Sequence, residues 1–77
     1  MWIDYINEEC REELLIIVDK KNYTEIRISI GGVYHIWFDD FTVATDEPFI
    51  NIYKRDVYIG MININEIENM TVFYRED

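Results

Sequence analysis

The sequence predicts a mainly β domain (β or α+β) with about five short antiparallel strands in a strongly bent sheet, plus a short N-terminal helix. Apolar residues alternate strictly over residues 23–30, and a Gly31-Gly32 pair follows them. Alternation of period two indicates a half-buried strand, and paired glycines accept the positive φ angles of a two-residue hairpin turn. Two further alternating runs, Phe49–Lys54 and Val57–Ile62, flank Arg55-Asp56 and predict a second hairpin.

The length of the chain predicts a single domain over residues 1–77. Two separate cores would each be too small to hold a fold. A chain of this size buries only about 60–65% of its unfolded surface, so we expect its stability to be marginal.

Residues 5–13 are the best helix candidate. Asn7 can cap this helix, and Glu8 and Glu9 suit the positive end of its dipole. One side of the helix is apolar with a spacing of four residues, through Ile6, Cys10 and Leu14.

The helix is expected to end near Glu12–Glu13. The apolar, β-branched run Leu14–Val18 favours a strand over continuation of the helix, and these two interpretations compete. The polar residues 19–22 then read as the loop of a hairpin that leads into the strand at residues 23–30.

The Gly31-Gly32 turn sets the register of the next hairpin. It predicts that Ile30 faces Val33, Ile28 faces His35 and Ile26 faces Trp37 on the core side. The opposite side then carries Tyr34, Ile36 and Phe38 beside Arg27 and Glu25. This second face is too apolar to be left bare, so it should pack under the helix, close into a barrel or bind a partner.

The C-terminal half predicts the remaining strands. Residues 39–48 read as an irregular stretch, and residues 63–69 read as a tight turn anchored by Ile64 and Ile67 before a last strand, Met70–Tyr74. The predicted core consists of Ile26, Ile28, Ile30, Trp37, Ile50, Ile52, Ile59, Met61, Ile64, Ile67 and Val72.

The segment from Tyr58-Ile59-Gly60-Met61-Ile62 to Met70-Thr71-Val72 resembles the end of SH3-like and Sm-like barrels. In those folds an apolar strand is followed by a one-turn helix and an edge strand. The resemblance covers about a third of the chain and implies an SH3-like or Sm-like barrel. Sm-like domains commonly bind RNA, but the acidity of this chain argues against direct nucleic-acid binding.

The charge balance limits the partners. Sixteen acidic residues against seven basic ones give a net charge of −9, on a chain that is 49% hydrophobic and 16% aromatic. Such a chain should fold and carry its charge on the surface, which favours a protein with a basic surface over nucleic acid or an anionic membrane. The acidic candidates for partner binding are Glu8, Glu9, Glu12, Glu13, Asp39, Asp40, Asp46 and Glu47.

The residues that could carry chemistry are few. His35 is the only histidine and Cys10 the only cysteine, and no phosphate loop, nucleophile elbow or paired metal-ligand spacing occurs. Carboxylates at 39, 40, 46 and 47 could hold Ca²⁺ if they met across a loop, but a solvated acidic loop is the better interpretation. We therefore predict no enzyme, cofactor or metal site, and a cytoplasmic protein without a signal peptide or a membrane span.

Two functional hypotheses remain. The first is a small phage or mobile-element inhibitor of the anti-CRISPR or anti-restriction type, whose carboxylates mimic nucleic-acid charge and block a host defence or repair enzyme. The second is a protein-interaction module or self-associating subunit that works through the aromatic face of Tyr34, Ile36 and Phe38. A homodimer through this face or an unpaired strand edge is part of the second hypothesis.

Overall fold

The computed structural model describes residues 1–6 and 8–76 and arranges them as seven strands, one α-helix and one 3-10 turn. The predicted mainly β fold with an N-terminal helix is confirmed, although there are more strands than the five expected. The elements in chain order are β1 (Trp2–Ile6), α1 (Glu8–Lys20), β2 (Tyr23–Ile30), β3 (Val33–Phe38), β4 (Phe41–Asp46), β5 (Phe49–Lys54), β6 (Val57–Asn63), the 3-10 turn (Ile64–Glu66) and β7 (Asn69–Tyr74).

The strands form two antiparallel sheets. The four-stranded sheet has the order β1-β7-β2-β3, and the three-stranded sheet has the order β4-β5-β6. The turn at Asp39-Asp40 carries the chain from one sheet to the other. In the described part of the chain the two sheets are not joined into a closed barrel.

Helix α1 is longer than predicted. It continues through Leu14–Val18 to Lys20, so the strand expected at 14–18 and the hairpin expected at 19–22 are both wrong. Cys10, Leu14, Ile17 and Val18 lie on one side of the helix and are all buried. Burial of this helical stripe overrides the β propensity of the branched residues. The predicted cap, Asn7, lies outside the described residues.

Strand β1 was not predicted. Tyr5 and Ile6 belong to this strand and not to the helix, and β1 pairs with β7 at the other end of the chain. The pairing joins Trp2 to Phe73 and Ile6 to Asn69. Pairing of such distant segments leaves no local pattern in the sequence.

The β2–β3 hairpin has the predicted register. Ile30 pairs with Val33, Ile28 with His35 and Ile26 with Trp37. Gly31 and Gly32 have φ values of 56° and 79°, which residues with a Cβ atom rarely adopt. Ile26, Ile28 and Trp37 are buried, as expected of the core side.

The stretch predicted to be irregular contains β4. Phe41–Asp46 pairs along its whole length with β5, and the side chains of Phe41 and Val43 pack against the core. The alternation of this strand is weak in the sequence because only Phe41 and Val43 are partly buried and the last three residues, Ala44 to Asp46, are all exposed.

A β-bulge in β6 changes which residues face the core. Tyr53 pairs with Tyr58, but Ile52 pairs with Gly60, so Ile59 is an extra residue between the two pairs. The bulge turns Met61 outward and Ile62 inward. The predicted core positions Ile59 and Met61 are therefore wrong, and their side chains are 50% and 56% exposed.

One core joins the helix to both sheets. Of the predicted core residues, Ile30 and Ile64 are partly buried against it, and the fully buried ones are Ile26, Ile28, Trp37, Ile50, Ile52, Ile67 and Val72. The buried residues that the prediction missed are Cys10, Leu14, Ile17, Val18, Tyr23, Ile62 and Met70.

Candidate protein-binding surface

The outward side of the four-stranded sheet, here called the open face, is an apolar surface that the strand pairing defines. Paired residues in antiparallel strands place their side chains on the same side of a sheet. The pairing of β1, β7, β2 and β3 therefore gives three rows across this face: Trp2, Phe73, Glu25 and Phe38; Asp4, Thr71, Arg27 and Ile36; Ile6, Asn69, Ser29 and Tyr34.

The apolar side chains of the open face are exposed to solvent. The exposed fractions are 59% for Trp2, 66% for Ile6, 67% for Tyr34, 45% for Ile36 and 46% for Phe38. The helix packs on the other side of the sheet, where it contributes to the core. Of the three alternatives for the face of Tyr34, Ile36 and Phe38, packing under the helix is therefore wrong.

Polar groups along the middle of the open face satisfy one another. The Nε atom of Arg27 donates a hydrogen bond to the carboxylate of Glu25, and its guanidinium carbon lies 4.9 Å from the centre of the Phe73 ring. The hydroxyl of Thr71 donates to the carboxylate of Asp4. The charges on this face are thus partly balanced, and the aromatic side chains lie on either side of them.

Sequence reasoning found one edge of this surface and missed the other. It named Tyr34, Ile36 and Phe38, which all lie on β3. The structure adds Trp2, Ile6 and Phe73 from β1 and β7. Only the pairing of the two chain ends brings them together, and the surplus of aromatic residues was the one available signal.

A groove of about 380 Å³ lies beside the open face, between β3 and β6. Each of these strands is the last one of its sheet. The groove is lined by aromatic and aliphatic side chains, including Ile36, Trp37, Ile59 and Met61. Neither sheet covers the opening between these two strands.

The second candidate surface is the acidic face of α1, defined by Glu8, Glu9, Glu12, Glu13 and Asp19. All of these side chains are exposed except Glu13, which is half-buried. Glu8 and Glu12 are one helical turn apart, as are Glu9 and Glu13, so each pair places like charges side by side.

No ion pair neutralises this face within residues 1–6 and 8–76. The ion pairs there join the Met1 ammonium to Glu76, Arg27 to Glu25 and Arg75 to Asp39. Arg11 lies on α1, but its Nη2 atom donates to the backbone carbonyl of Asn65, 3.1 Å away. Among the described residues, the carboxylates of α1 therefore have no basic side chain paired with them.

The four loop carboxylates do not form one site. Asp39 and Asp40 precede β4, whereas Asp46 is its last residue and Glu47 follows it, so roughly 20 Å of strand separates the two pairs. Asp39 is engaged by Arg75. In the described part of the chain, no three His, Cys, Asp or Glu residues are grouped to hold a metal ion.

His35 and Cys10, the two residues that could carry chemistry, are both at least partly buried. His35 is half-buried on the core side, paired with Ile28, where the sequence placed it. Cys10 is fully buried, and burial raises the pKa of its thiol. A raised thiol pKa keeps the nucleophilic thiolate scarce at neutral pH.

No helix among the described residues is long and apolar enough to cross a membrane. Comparison with protein-family models, curated proteins and solved structures finds no match to this chain.

Proposed function

We propose that this chain is a non-catalytic acidic protein that binds another protein, with the open face as its contact surface. The observation that carries the proposal is the exposure of five large apolar side chains there, each between 45% and 67% exposed. Apolar patches of this kind on a small protein mark interaction sites. Trp and Tyr, here Trp2 and Tyr34, are among the most frequent anchors of such interfaces.

The proposed partner is a protein with a basic surface. The net charge of −9 attracts a basic partner and repels nucleic acids and anionic membranes. The open face itself is close to neutral, since Arg27 lies against Glu25. Charge would thus speed the encounter, and the aromatic side chains would supply most of the affinity.

Truncation of the aromatic anchors tests this proposal. The chain is immobilised, its partner is captured from a cell lysate and identified, and its affinity is then measured for the variants. Trp2→Ala and Phe38→Ala should each weaken binding by about 30-fold or more, as expected of hot spots. Val57→Ala is the matched control, since Val57 is 63% exposed but lies on β6. Equal affinity of all three variants would exclude the open face.

A second candidate function is favoured by the acidic face of α1. Its carboxylates have no ion-pair partner in the described chain, an arrangement that suits a nucleic-acid mimic. In this proposal the protein is a phage or mobile-element inhibitor that blocks the nucleic-acid groove of a host defence or repair enzyme. Asp39, Asp40, Asp46 and Glu47 would add to the negative field without forming a common site.

Salt and competition separate the two candidates. A mimic should bind far more weakly as salt rises from about 50 to about 500 mM, because many charge pairs are screened together. Nucleic acid should compete directly for the partner. The double variant Glu9→Lys/Glu13→Lys should then lose more affinity than Phe38→Ala, with Glu9→Gln/Glu13→Gln between them. Affinity that is indifferent to salt would exclude mimicry.

Neither candidate needs a cofactor, a metal ion or a catalytic residue. We propose the cytoplasm as the place of action, because the single cysteine suits a reducing compartment.

A further inference from the structure

We infer that two copies of this chain pair through β3, edge to edge and antiparallel, with Ile36 of one copy opposite Ile36 of the other. Strand β3 is the last strand of the four-stranded sheet and is bonded to β2 on one side only. Its other edge borders the groove between β3 and β6. Unpaired strand edges of this length are templates for pairing with another chain.

The backbone groups of β3 that face the free edge belong to its exposed residues. The two-residue turn makes Ile30 and Val33 a hydrogen-bonded pair, and such pairs alternate along an antiparallel ladder. Tyr34, Ile36 and Phe38 therefore direct their N–H and C=O groups away from β2. The neighbouring strand agrees, since the carbonyl of Ser29, opposite Tyr34, accepts a hydrogen bond from the N–H of Glu68 instead.

One register satisfies all of these groups. With Ile36 opposite Ile36 of the second copy, Tyr34 lies opposite Phe38 in both directions. The three pairs make about six backbone hydrogen bonds. If the second copy is shifted by two residues toward the glycine turn, Phe38 has no partner in β3 and only about four backbone hydrogen bonds remain. The favoured register also places aromatic side chains next to each other across the new strand pair.

The distribution of charge makes β3 the edge of the four-stranded sheet that a second copy of this acidic chain can approach. Charged residues make up 30% of the chain, yet neither β3 nor β6 contains one. The other two edge strands carry Asp4 in β1 and Asp46 in β4, and charge is the usual protection of an edge. A second copy with a net charge of −9 therefore meets no carboxylate within β3 itself, whereas β1 and β4 would each place a carboxylate against it.

The symmetry of this pairing also explains why β6 carries exposed apolar side chains. Antiparallel strands that keep the same side of a sheet outward are related by a two-fold axis perpendicular to the sheet. The axis passes midway between the two Ile36 residues, and because it is perpendicular to the sheet, both three-stranded sheets lie on the same side of the joined sheet. The β6 strands of the two copies then approach each other across the groove. Ile59 and Met61, which are half-exposed in one copy, face their equivalents in the other.

This inference does not rest on the proposed function. Edge pairing leaves the open face uncovered and joins two copies of it into one larger surface. A monomer could still bind a partner through Trp2, and a dimer could exist without any partner.

Sedimentation equilibrium of the full chain tests the inference. The wild type should be a dimer that tightens as salt rises, because screening reduces repulsion between two copies of charge −9. Ile36→Lys places two like charges on the axis and should raise the dissociation constant at least about tenfold. Ile6→Lys is the matched control, with the same change on the same face at the opposite edge, and should leave the dimer intact.

Amide hydrogen exchange of the wild type keeps the inference testable if Ile36→Lys does not fold. The amides of Tyr34, Ile36 and Phe38 should become protected as protein concentration rises. A monomer at all concentrations would overturn the inference. So would a dimer that is dissociated by Ile6→Lys, or one whose concentration-dependent protection falls on β1 and not on β3.

Discussion

The phenol oxygens of Tyr5 and Tyr74 lie 2.7 Å apart and share a hydrogen bond between β1 and β7. Other links hold the same pair of strands, since the N–H of Tyr74 donates to the carbonyl of Met1 and the ammonium of Met1 contacts Glu76. Apart from half-buried Tyr5, every side chain of β1 is exposed. The strand that completes the open face is therefore held mainly by hydrogen bonds.

Removing one phenol should loosen β1. We expect Tyr74→Phe to lower the free energy of unfolding by about 0.5–1.5 kcal/mol, because Tyr5 loses its partner in a partly buried position. Denaturant unfolding measures this change. Tyr58→Phe is the control, as this exposed phenol belongs to the three-stranded sheet. Equal stability of wild type and Tyr74→Phe would show that the hydrogen bond contributes nothing.

The same phenol should make stability depend on pH in the alkaline range. Burial, the hydrogen bond to Tyr5 and the nearby Glu13 carboxylate together raise the pKa of Tyr74 above its ordinary value of 10. A raised pKa in the folded state stabilises the fold below pH 10, and this contribution is lost as pH rises toward the folded value. The stability difference between wild type and Tyr74→Phe should be constant at neutral pH and shrink above pH 10. A difference that grows there would contradict this assignment.

Ile28 and Ile59, which the sequence pattern places alike in the core, should differ in how much stability the protein loses when each is truncated to alanine. Ile28→Ala should cost about 2–5 kcal/mol, because the side chain is fully buried. Ile59→Ala should cost less than about 1 kcal/mol, because the bulge places it half in solvent. Thermal or denaturant unfolding of the two variants checks the register. A large loss for Ile59→Ala would mean that the strand pairs without the bulge.

These two residues show what the sequence can predict. The β2–β3 register follows from local signals, namely the alternation of residues 23–30 and the glycine turn. The register of β6 depends on one extra residue, Ile59, that the sequence does not mark. Strand β1 depends on pairing between the two chain ends, and α1 depends on burial of Leu14 and Ile17 against the sheets. Those features are decided by tertiary contacts, so the sequence predicts only the part of the open face that lies on β3.

The sequence predicts the arrangement of the acidic residues on the helix but not that of the acidic residues in the loop. The helical stacking of Glu8 with Glu12 follows from helix geometry, and the structure has both residues on α1. The sequence predicts one irregular segment that contains both Asp39-Asp40 and Asp46-Glu47. Strand β4 separates them because Phe41 and Val43 pack against the core.

The end of α1 offers a stabilising substitution. Lys21 follows the helix with a φ of 53°, and its N–H donates to the carbonyl of Ile17, 3.1 Å away. Glycine adopts this left-handed conformation without the steric cost of a Cβ, so Lys21→Gly should raise stability by about 0.5–1 kcal/mol. Lys20→Gly is the matched control, one residue earlier within the helix, and should lower stability by about 0.5–1 kcal/mol. The reverse order would mean that the helix ends elsewhere.

The acidic face of α1 should cost the free protein stability. Glu8 and Glu12 place like charges one turn apart, and Glu12→Lys replaces that repulsion with a favourable Glu–Lys pair. We expect Glu12→Lys to gain about 0.3–1 kcal/mol at low salt and less at high salt, with Glu12→Gln gaining about half as much. Denaturant unfolding at two salt concentrations gives both values.

If Glu12→Lys also weakens partner binding, the carboxylate is retained for binding at the expense of stability, as nucleic-acid mimicry requires. If it leaves binding unchanged, the acidic face is not the contact surface. If instead it destabilises the chain, Glu12 has a structural partner that offsets the repulsion.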